Sequence, residues 1–539
     1  MNPSNTLRSV LKMGTRRSLL ALAQSGWVAR EIEQANPGVR VEVVGIDTRG
    51  DKILDVPLTS VQGKEFFVAE LDDALRSGRV DFTVHSMKDL SLDRPEDFCL
   101  AAVPVRENLR DIVLFGPSIL EKLGRDEEIL IGTSSPRRLE NLPTFLTEAL
   151  PRLGQQAPRL KFVEIRGNVN TRLSRVHEPQ GSERYLDGVV LALAGLNRLM
   201  VDENGARELK QLLQGTRLMV MPITECPAAA AQGALAVESR KDDSFVRQCL
   251  AKIHHEPSQK AAATERAILA EWGGGCHQRF GASAVVHPEL GSVLYIKGRK
   301  PTGEAAHEIR WQGPKLDRAR FWDGTRYRSA TATVSSDLDR HALQKFADAK
   351  AGDFVFVAHH RALVGEDGQV SSGWRTSLFS KRVWVSGTAS WYRLARAGLW
   401  VEGCAEGLGA EFALPEWWAS RALQLPSWER AWVLTHESQT EAELDGWKKI
   451  SPEQRLATYS VSREKLNPQA AQEIGEARHV FWASGSQWEV YGATTRRDAI
   501  HACGPGKTAQ FLRKKGLRPL VFPHVDEWRK ALGMKGESI

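Results

Sequence analysis

The sequence predicts an α/β protein of several domains, and three observations carry that reading. Short apolar runs alternate with amphipathic stretches through the first half, at residues 39–46, 66–75, 80–84 and 129–131, as strands and helices do when they alternate along a chain. At 539 residues the chain exceeds one ordinary domain, so several hydrophobic cores are expected. Every tryptophan except Trp27 lies at or after Trp272, which sets the C-terminal part off as a separate module.

Further along, residues 161–165 read as a strand followed by a polar turn and a helix. Residues 188–193 form an apolar run suited to a strand buried on both faces. The C-terminal part echoes itself: Val355-Phe-Val-Ala358 is similar to Val480-Phe-Trp-Ala483, and the stretch from Ala389 to Leu399 is similar to that from Lys507 to Leu517. A spacing this long exceeds any solenoid period and predicts two similar α/β lobes. Residues 314–350 read as the linker that precedes a two-lobed module at 351–539.

Composition narrows the function. With 42% hydrophobic and 26% charged residues, the chain is neither disordered nor fibrous. Its net charge of +7 is not gathered into basic runs interleaved with aromatics, so no nucleic-acid partner is expected. No apolar stretch is long enough for a membrane span, since residues 185–200 are broken by Asp187, Asn197 and Arg198. Residues 1–11 lack the apolar core of an export signal, which predicts a cytoplasmic protein. Six scattered cysteines without a C-x-x-C pair or histidines at zinc-ligand spacing predict neither a disulfide framework nor a metal.

Three turns concentrate arginine where a strand gives way to a helix. They are Gly14-Thr-Arg-Arg-Ser18, Ile131-Gly-Thr-Ser-Ser-Pro-Arg-Arg138 and Ile165-Arg-Gly-Asn-Val-Asn-Thr-Arg172. A helix N-terminus offers free N–H groups and partial positive charge, and guanidinium forks match planar carboxylates. Thr15 or Ser18 can cap the first helix, Pro136 suits a first helical turn, and Gly132 and Gly167 would let a ligand approach the backbone. Repetition of the design predicts a ligand bearing several carboxylates. Neither G-x-x-x-x-G-K-[ST] nor a helix-opening G-x-G-x-x-G is present, so nucleotide chemistry lacks its marker.

Two further segments carry reactive groups. His85-Ser-Met-Lys-Asp89 follows a predicted strand, and Asp89 there is either a catalytic acid or a helix cap. Ser86 and Lys88 stand two apart, on opposite faces of an extended chain, which disfavours a nucleophile pair. Trp272-Gly-Gly-Gly-Cys276 puts a cysteine behind three glycines; the residues alone leave open whether it reacts.

Taken together, Thr15-Arg16-x-Ser18, Thr48-Arg-Gly-Asp51, His85-Ser-Met-Lys-Asp89, Gly132-Thr-Ser-Ser135 with Arg137-Arg138, Arg166-Gly-Asn-Val169 with Thr171-Arg-Leu173, and Gly274-Gly-Cys276 resemble the hydroxymethylbilane synthase (porphobilinogen deaminase) family in order and spacing. The resemblance implies two periplasmic-binding-protein-like domains, at 10–108 with 218–240 and at 111–217, and a small cofactor-bearing α/β domain at 241–313. By the same resemblance Cys276 would hold a covalent dipyrromethane primer through a thioether. Asp89 would assist loss of ammonia from porphobilinogen and stabilise the resulting cation.

Arg137, Arg138, Lys88, Ser86, Thr133, Ser135, Arg166 and Asn168 would bind the cofactor, and Arg16, Ser18, Arg172, Arg198, Lys64 and Phe67 the substrate. The enzyme would be a monomer. Ala69 stands where the family has lysine, Arg279 where it has proline, and Pro227-Ala-Ala-Ala-Ala-Gln-Gly233 where it has a shorter Pro-Ala-x-Gly-Gln-Gly hinge. The C-terminal module resembles the uroporphyrinogen-III synthase family through Val383-Trp-Val-Ser-Gly387 and Ala502-Cys-Gly504, which implies a cleft that cyclises the bilane; residues 314–350 do not supply that family's first strand. The rival reading is a cytoplasmic effector-binding protein on the same two-domain fold, which would have no use for Asp89 or a primer.

Overall fold

The computed structural model describes residues 9–48, 68–273, 278–327, 330–333, 336–437, 447–463 and 467–534. Its first ten strands are β1 (Val10–Arg16), β2 (Arg40–Ile46), β3 (Phe82–Ser86), β4 (Phe98–Ala102), β5 (Asp111–Phe115), β6 (Glu128–Gly132), β7 (Arg159–Val163), β8 (Gly188–Ala192), β9 (Arg217–Val220) and β10 (Leu235–Arg240). They form two five-stranded sheets, ordered β2-β1-β3-β10-β4 and β7-β6-β8-β5-β9.

The two orders are the same pattern. Each domain begins with a strand–helix–strand unit, and the strand received from the other domain, β10 or β5, lies antiparallel in the next-to-last place. The chain therefore crosses twice between the domains, at residues 103–110 and 221–234, leaving a cleft between the carboxyl ends of the parallel strands. Strands β5 and β8 are buried at nearly every position, as expected of strands covered on both faces.

In the third domain, β11 (Arg279–His287), β12 (Gly291–Arg299) and β13 (Ala305–Trp311) form an antiparallel meander against the helix Glu256–Glu271. Its expected start at residue 241 needs correction. The helix Ser244–Ala251 places Val246, Cys249 and Leu250 in the same core as Leu11, Val28 and Ile32 of the first domain.

The C-terminal module contains β14 (Phe321–Asp323), β15 (Ala330–Thr333), β16 (Phe354–Val357), β17 (Arg382–Val385), β18 (Gly403–Cys404), β19 (Ala431–His436), β20 (Arg455–Arg463), β21 (His479–Trp482), β22 (Ile500–Cys503) and β23 (Leu520–Val521). One lobe is built on β20-β19-β16-β17-β18 with β15 antiparallel at its edge, the other on β14-β21-β22-β23. The sequence echo is structural: its halves fall on β16 and β21, and on the helices Thr388–Arg396 and Lys507–Lys514.

Residues 314–350 are not a linker. They supply β14, paired in parallel with β21, then β15 and the helix Ser336–Phe346. Phe-Trp-Asp is too short a strand to show a periodic pattern.

Nor is the module loosely tethered. Trp391 packs edge-on against Phe145 at 5.3 Å and its Nε1 donates to the Ala149 carbonyl at 3.0 Å. Trp400 meets Phe115 at 5.4 Å and donates to the Leu218 carbonyl at 3.1 Å. The third domain meets both lobes, with His287 Nε2 donating to the Leu408 carbonyl at 3.0 Å and Trp311 packing on Phe522 at 5.2 Å. Among the described residues no helix is long and apolar enough to cross a membrane.

Candidate active site

The described residues expected to carry chemistry lie at or soon after the carboxyl ends of strands, where open α/β sheets leave room for a ligand. Strand β1 ends at Arg16, and the Ser18 hydroxyl caps the helix Leu19–Ala35 by accepting from the Ala21 amide at 3.3 Å. After β3, the turn Met87–Asp89 leaves Lys88 half-buried and Asp89 exposed, while Ser86 accepts from Gln24 Nε2 at 3.4 Å. Arg16 lies close enough to His85 to disfavour its protonation.

Opposite, in the second domain, Thr133 accepts from the Ser135 amide at 3.3 Å and Pro136 opens the helix Pro136–Ala149. After β7 the Asn168 side chain caps the helix Val169–Ser174 by accepting from the Thr171 amide at 2.8 Å. Ser134 ties the two turns together, donating to the Ile165 carbonyl and accepting from the Ile165 amide at 3.1 Å. Ser18 and Asn168 thus shape their helix ends directly.

The two glycines have different local reasons. A Cβ on Gly132 would meet Leu186 at 2.6 Å and Ile165 at 2.9 Å. Gly167 has φ +103, a conformation that glycine alone adopts readily.

One chain of contacts joins the two sides of the cleft. Lys88 Nζ donates to Gln232 Oε1 at 3.4 Å, and Gln232 Nε2 donates to Asp111 Oδ1 at 2.9 Å. Asp111 is fully buried and pairs with Arg137 at 2.8 Å and Arg138 at 2.7 Å. Burial opposes its ionisation, but the two guanidiniums outweigh that and hold the carboxyl well below the usual range. Burial pushes the Lys88 ammonium down, against the pull of Asp89, with Arg138 adding to the burial effect. Two arginines expected to meet only ligand carboxylates therefore spend donors on an internal acid, which the sequence reading missed. Its one signal was an acid heading the otherwise apolar run Asp111-Ile-Val-Leu-Phe115.

Positive charge remains in excess. Burial, reinforced by Arg138 and Arg166, pushes Arg172 down to about 10, and its Nε donates to the Gly167 carbonyl at 2.8 Å. Arg198 is likewise pushed by burial to about 10, partly offset by Glu107. Arg137 Nε and Arg166 Nη2 are buried without a hydrogen-bond partner among the described residues. Buried donors of this kind want an acceptor.

Cys276, Lys64 and Phe67 lie outside the described residues, as do Arg49, Gly50 and Asp51. The side chains of Asp72, His85 and Glu238 come within 4.8 Å of one another. Arg94 already pairs with Asp72 at 2.6 Å and Glu238 at 2.7 Å, putting a guanidinium beside both carboxylates. Burial, then Arg94, push His85 down to about 4.

The hinge departure has a visible consequence: Ala231, just before Gln232, takes φ +62, which a non-glycine adopts at a cost of about 1–2 kcal/mol. Its amide donates to Glu265 at 2.6 Å, which holds it there.

The family described as "Porphobilinogen deaminase, dipyromethane cofactor binding domain" matches residues 11–248. The porphobilinogen deaminase of Syntrophomonas wolfei is 38% identical over 288 residues, covering 53% of this chain and 84% of that protein. That of Shouchella clausii is 39% identical over 275 residues, covering 51% and 79%. Among solved structures, a mutant uroporphyrinogen III synthase from Thermus thermophilus is similar with 13% identity and a TM-score of 0.26, over 38% of this chain and 87% of that one. With a family match through the first two domains and relatives covered over most of their length, the chain belongs to the porphobilinogen deaminase family.

Proposed function

We propose that the chain is a hydroxymethylbilane synthase, joining four porphobilinogen molecules into hydroxymethylbilane with release of ammonia, on a dipyrromethane primer held by a thioether at Cys276. The observation that carries this reading is the cluster of guanidiniums at Arg137 and Arg138, buried, and Arg166 and Arg172, half-buried, with Lys88 close to the first two. A polycarboxylate fits such a surface, and the unpartnered N–H groups of Arg137 and Arg166 are where its acids would be met. When bound, dipyrromethane would supply the terminal pyrrole carbon to which the first unit is added, and each added unit would offer the carbon for the next.

Every other part falls to the protein. Asp89, exposed at the carboxyl end of β3, is placed to hold the pyrrole N–H of an incoming unit and to stabilise the positive charge left when ammonia departs. Arg16, Arg172 and Arg198 orient its carboxylates, and the helix ends capped by Ser18 and Asn168 add backbone donors. By the family resemblance Lys64 and Phe67 would help cover the growing chain. Burial pushes the thiols of Cys226, Cys249, Cys404 and Cys503 up, away from the reactive thiolate, while Cys99 is half-buried beside Ser239. All the described cysteines are free, which suits a cytoplasmic enzyme.

A second activity is favoured by the C-terminal lobes, which meet around the loops at the carboxyl ends of β18 and β22. A Cβ on Gly506 would lie 3.1 Å from the Gly409 Cα, and Gln510 Nε2 donates to Glu411 Oε1 at 3.2 Å. Lys507 Nζ sits 3.9 Å from the Trp447 ring centroid, and burial pushes it to about 7 against the pull of Glu411. The module would take the bilane and close it as uroporphyrinogen III.

Supplied with porphobilinogen, the whole chain is expected to release one ammonia per molecule consumed and to form the type III isomer. Type I product alone would remove the cyclase reading. Absence of ammonia release would remove the synthase reading.

A further inference from the structure

One buried cluster by which the C-terminal module reaches the deaminase domains centres on Arg110. Arg110 is the last residue of the first crossover, 3% exposed, and its Nε donates to Glu406 Oε1 at 2.6 Å. Its Nη1 donates to both oxygens of Glu416 at 2.9 Å. The Glu406 side chain is itself buried, 1% exposed. The module therefore holds the end of the first strand that joins the two cleft domains.

The backbone at Glu406 points the same way. It adopts φ +56, between Ala405 and Gly407, a left-handed conformation that strains any residue with a Cβ and persists where its surroundings demand it. A glycine would sit there without strain. The side chain that glycine lacks is the one bound to Arg110.

From Arg110 the connection continues by a single peptide bond. Successive residues of an extended strand point to opposite sides, so Arg110 is directed to the module while Asp111 is directed to Arg137 and Arg138. A second tie runs in parallel, the Val220 amide donating to the Glu402 carbonyl at 2.7 Å while the Met221 amide donates to the Asp111 carbonyl at 2.9 Å. The third domain grips the crossovers in a comparable way, Glu265 pairing with Arg106 at 2.8 Å and accepting from Ala231.

We propose that Glu406 and Glu416 are positioning residues of the deaminase reaction: acting through Arg110 and Asp111, they set the place of the arginine pair that receives the cofactor's carboxylates. This rests on the reading of Arg137 and Arg138 as cofactor-binding residues. In a chain so built, the C-terminal module is part of the synthase cleft, whatever it catalyses on its own account.

The test uses the full chain in four forms: parent, Glu406→Gln, Glu416→Gln and Arg138→Leu, with Arg396→Ala as a control. Arg396 pairs with Glu148 at 2.6 Å across the same interface but is half-exposed and distant in the contact chain. For each, intact mass gives the fraction carrying dipyrromethane, kinetics give KM and kcat for porphobilinogen, and thermal unfolding gives the midpoint.

Glu406→Gln is expected to raise KM about 2- to 30-fold, as mutations along a coupled network do, and to lower the loaded fraction, while Arg396→Ala changes neither. Glu416→Gln, with a third of its side chain exposed, shows the same direction more weakly, and it serves if Glu406→Gln fails to fold. Parent-like loading and KM in the folded glutamate variants, with Arg138→Leu impaired, would overturn the proposal. Parent-like behaviour of Arg138→Leu would instead remove the site reading beneath it.

Discussion

Asp89→Asn is expected to lower kcat/KM for porphobilinogen by about 10²- to 10⁴-fold, the range that a positioned proton-transfer group contributes. The side chain is exposed at the end of a short turn and packs into no core, so the unfolding midpoint should match the parent. The variant should still carry the dipyrromethane mass, because Asp89 is not among the groups assigned to bind it: Arg137, Arg138 and Arg166 lie across the cleft, and Ser86 and Lys88 keep their own contacts to Gln24 and Gln232. Turnover near the parent's rate would remove Asp89 from the chemistry. Loss of turnover together with loss of fold would show a structural role instead.

Asp111→Asn has the largest expected effect on stability. It keeps the shape of the side chain and removes the one charge that faces two buried guanidiniums at 2.8 and 2.7 Å. Removing one partner of a buried pair costs about 3–5 kcal/mol, because the other charge stays uncompensated.

The pH dependence follows from the direction of the shift. Asp111 in the folded chain titrates well below the usual carboxylate range, whereas unfolded aspartate titrates near about 3.9. Its stabilising contribution is therefore complete above about pH 4 and is lost as pH falls towards the folded value. Denaturant unfolding of parent and variant should differ most at neutral pH and converge as the solution is acidified below about pH 4. A gap that stays constant through that range would mean the pairing contributes nothing.

Much of the fold was legible because its strands are buried on both faces. The run Gly188-Val-Val-Leu-Ala192 reads as a strand covered on both faces and forms β8, whereas Asp111-Ile-Val-Leu-Phe115, just as buried in β5, is not among the strands the sequence predicts. Helix starts were legible for a local reason: Ser18 and Asn168 accept from amides three residues on, and Pro136 opens its helix with a backbone already set for the first turn. Strand β14 was hidden because three residues cannot display a period, and its partner β21 is far along the chain.

Within the site, the arginine turns stood out as clusters in sequence. Their internal counter-ion did not, since Asp111 lies 27 residues from Arg138 and 121 from Gln232. Long-range pairs leave no local pattern, and the same holds for Arg110 with Glu406. Gly132 was misread for a related reason, as the side chains filling its missing Cβ space come from Leu186 and Ile165.

The central claim is a covalent primer on Cys276, and the intact mass of the purified chain beside its Cys276→Ser variant tests it most directly. The parent should exceed its polypeptide mass by two linked porphobilinogen units and the variant should not. Both chains at bare polypeptide mass after incubation with porphobilinogen, or both carrying the excess, would contradict the account.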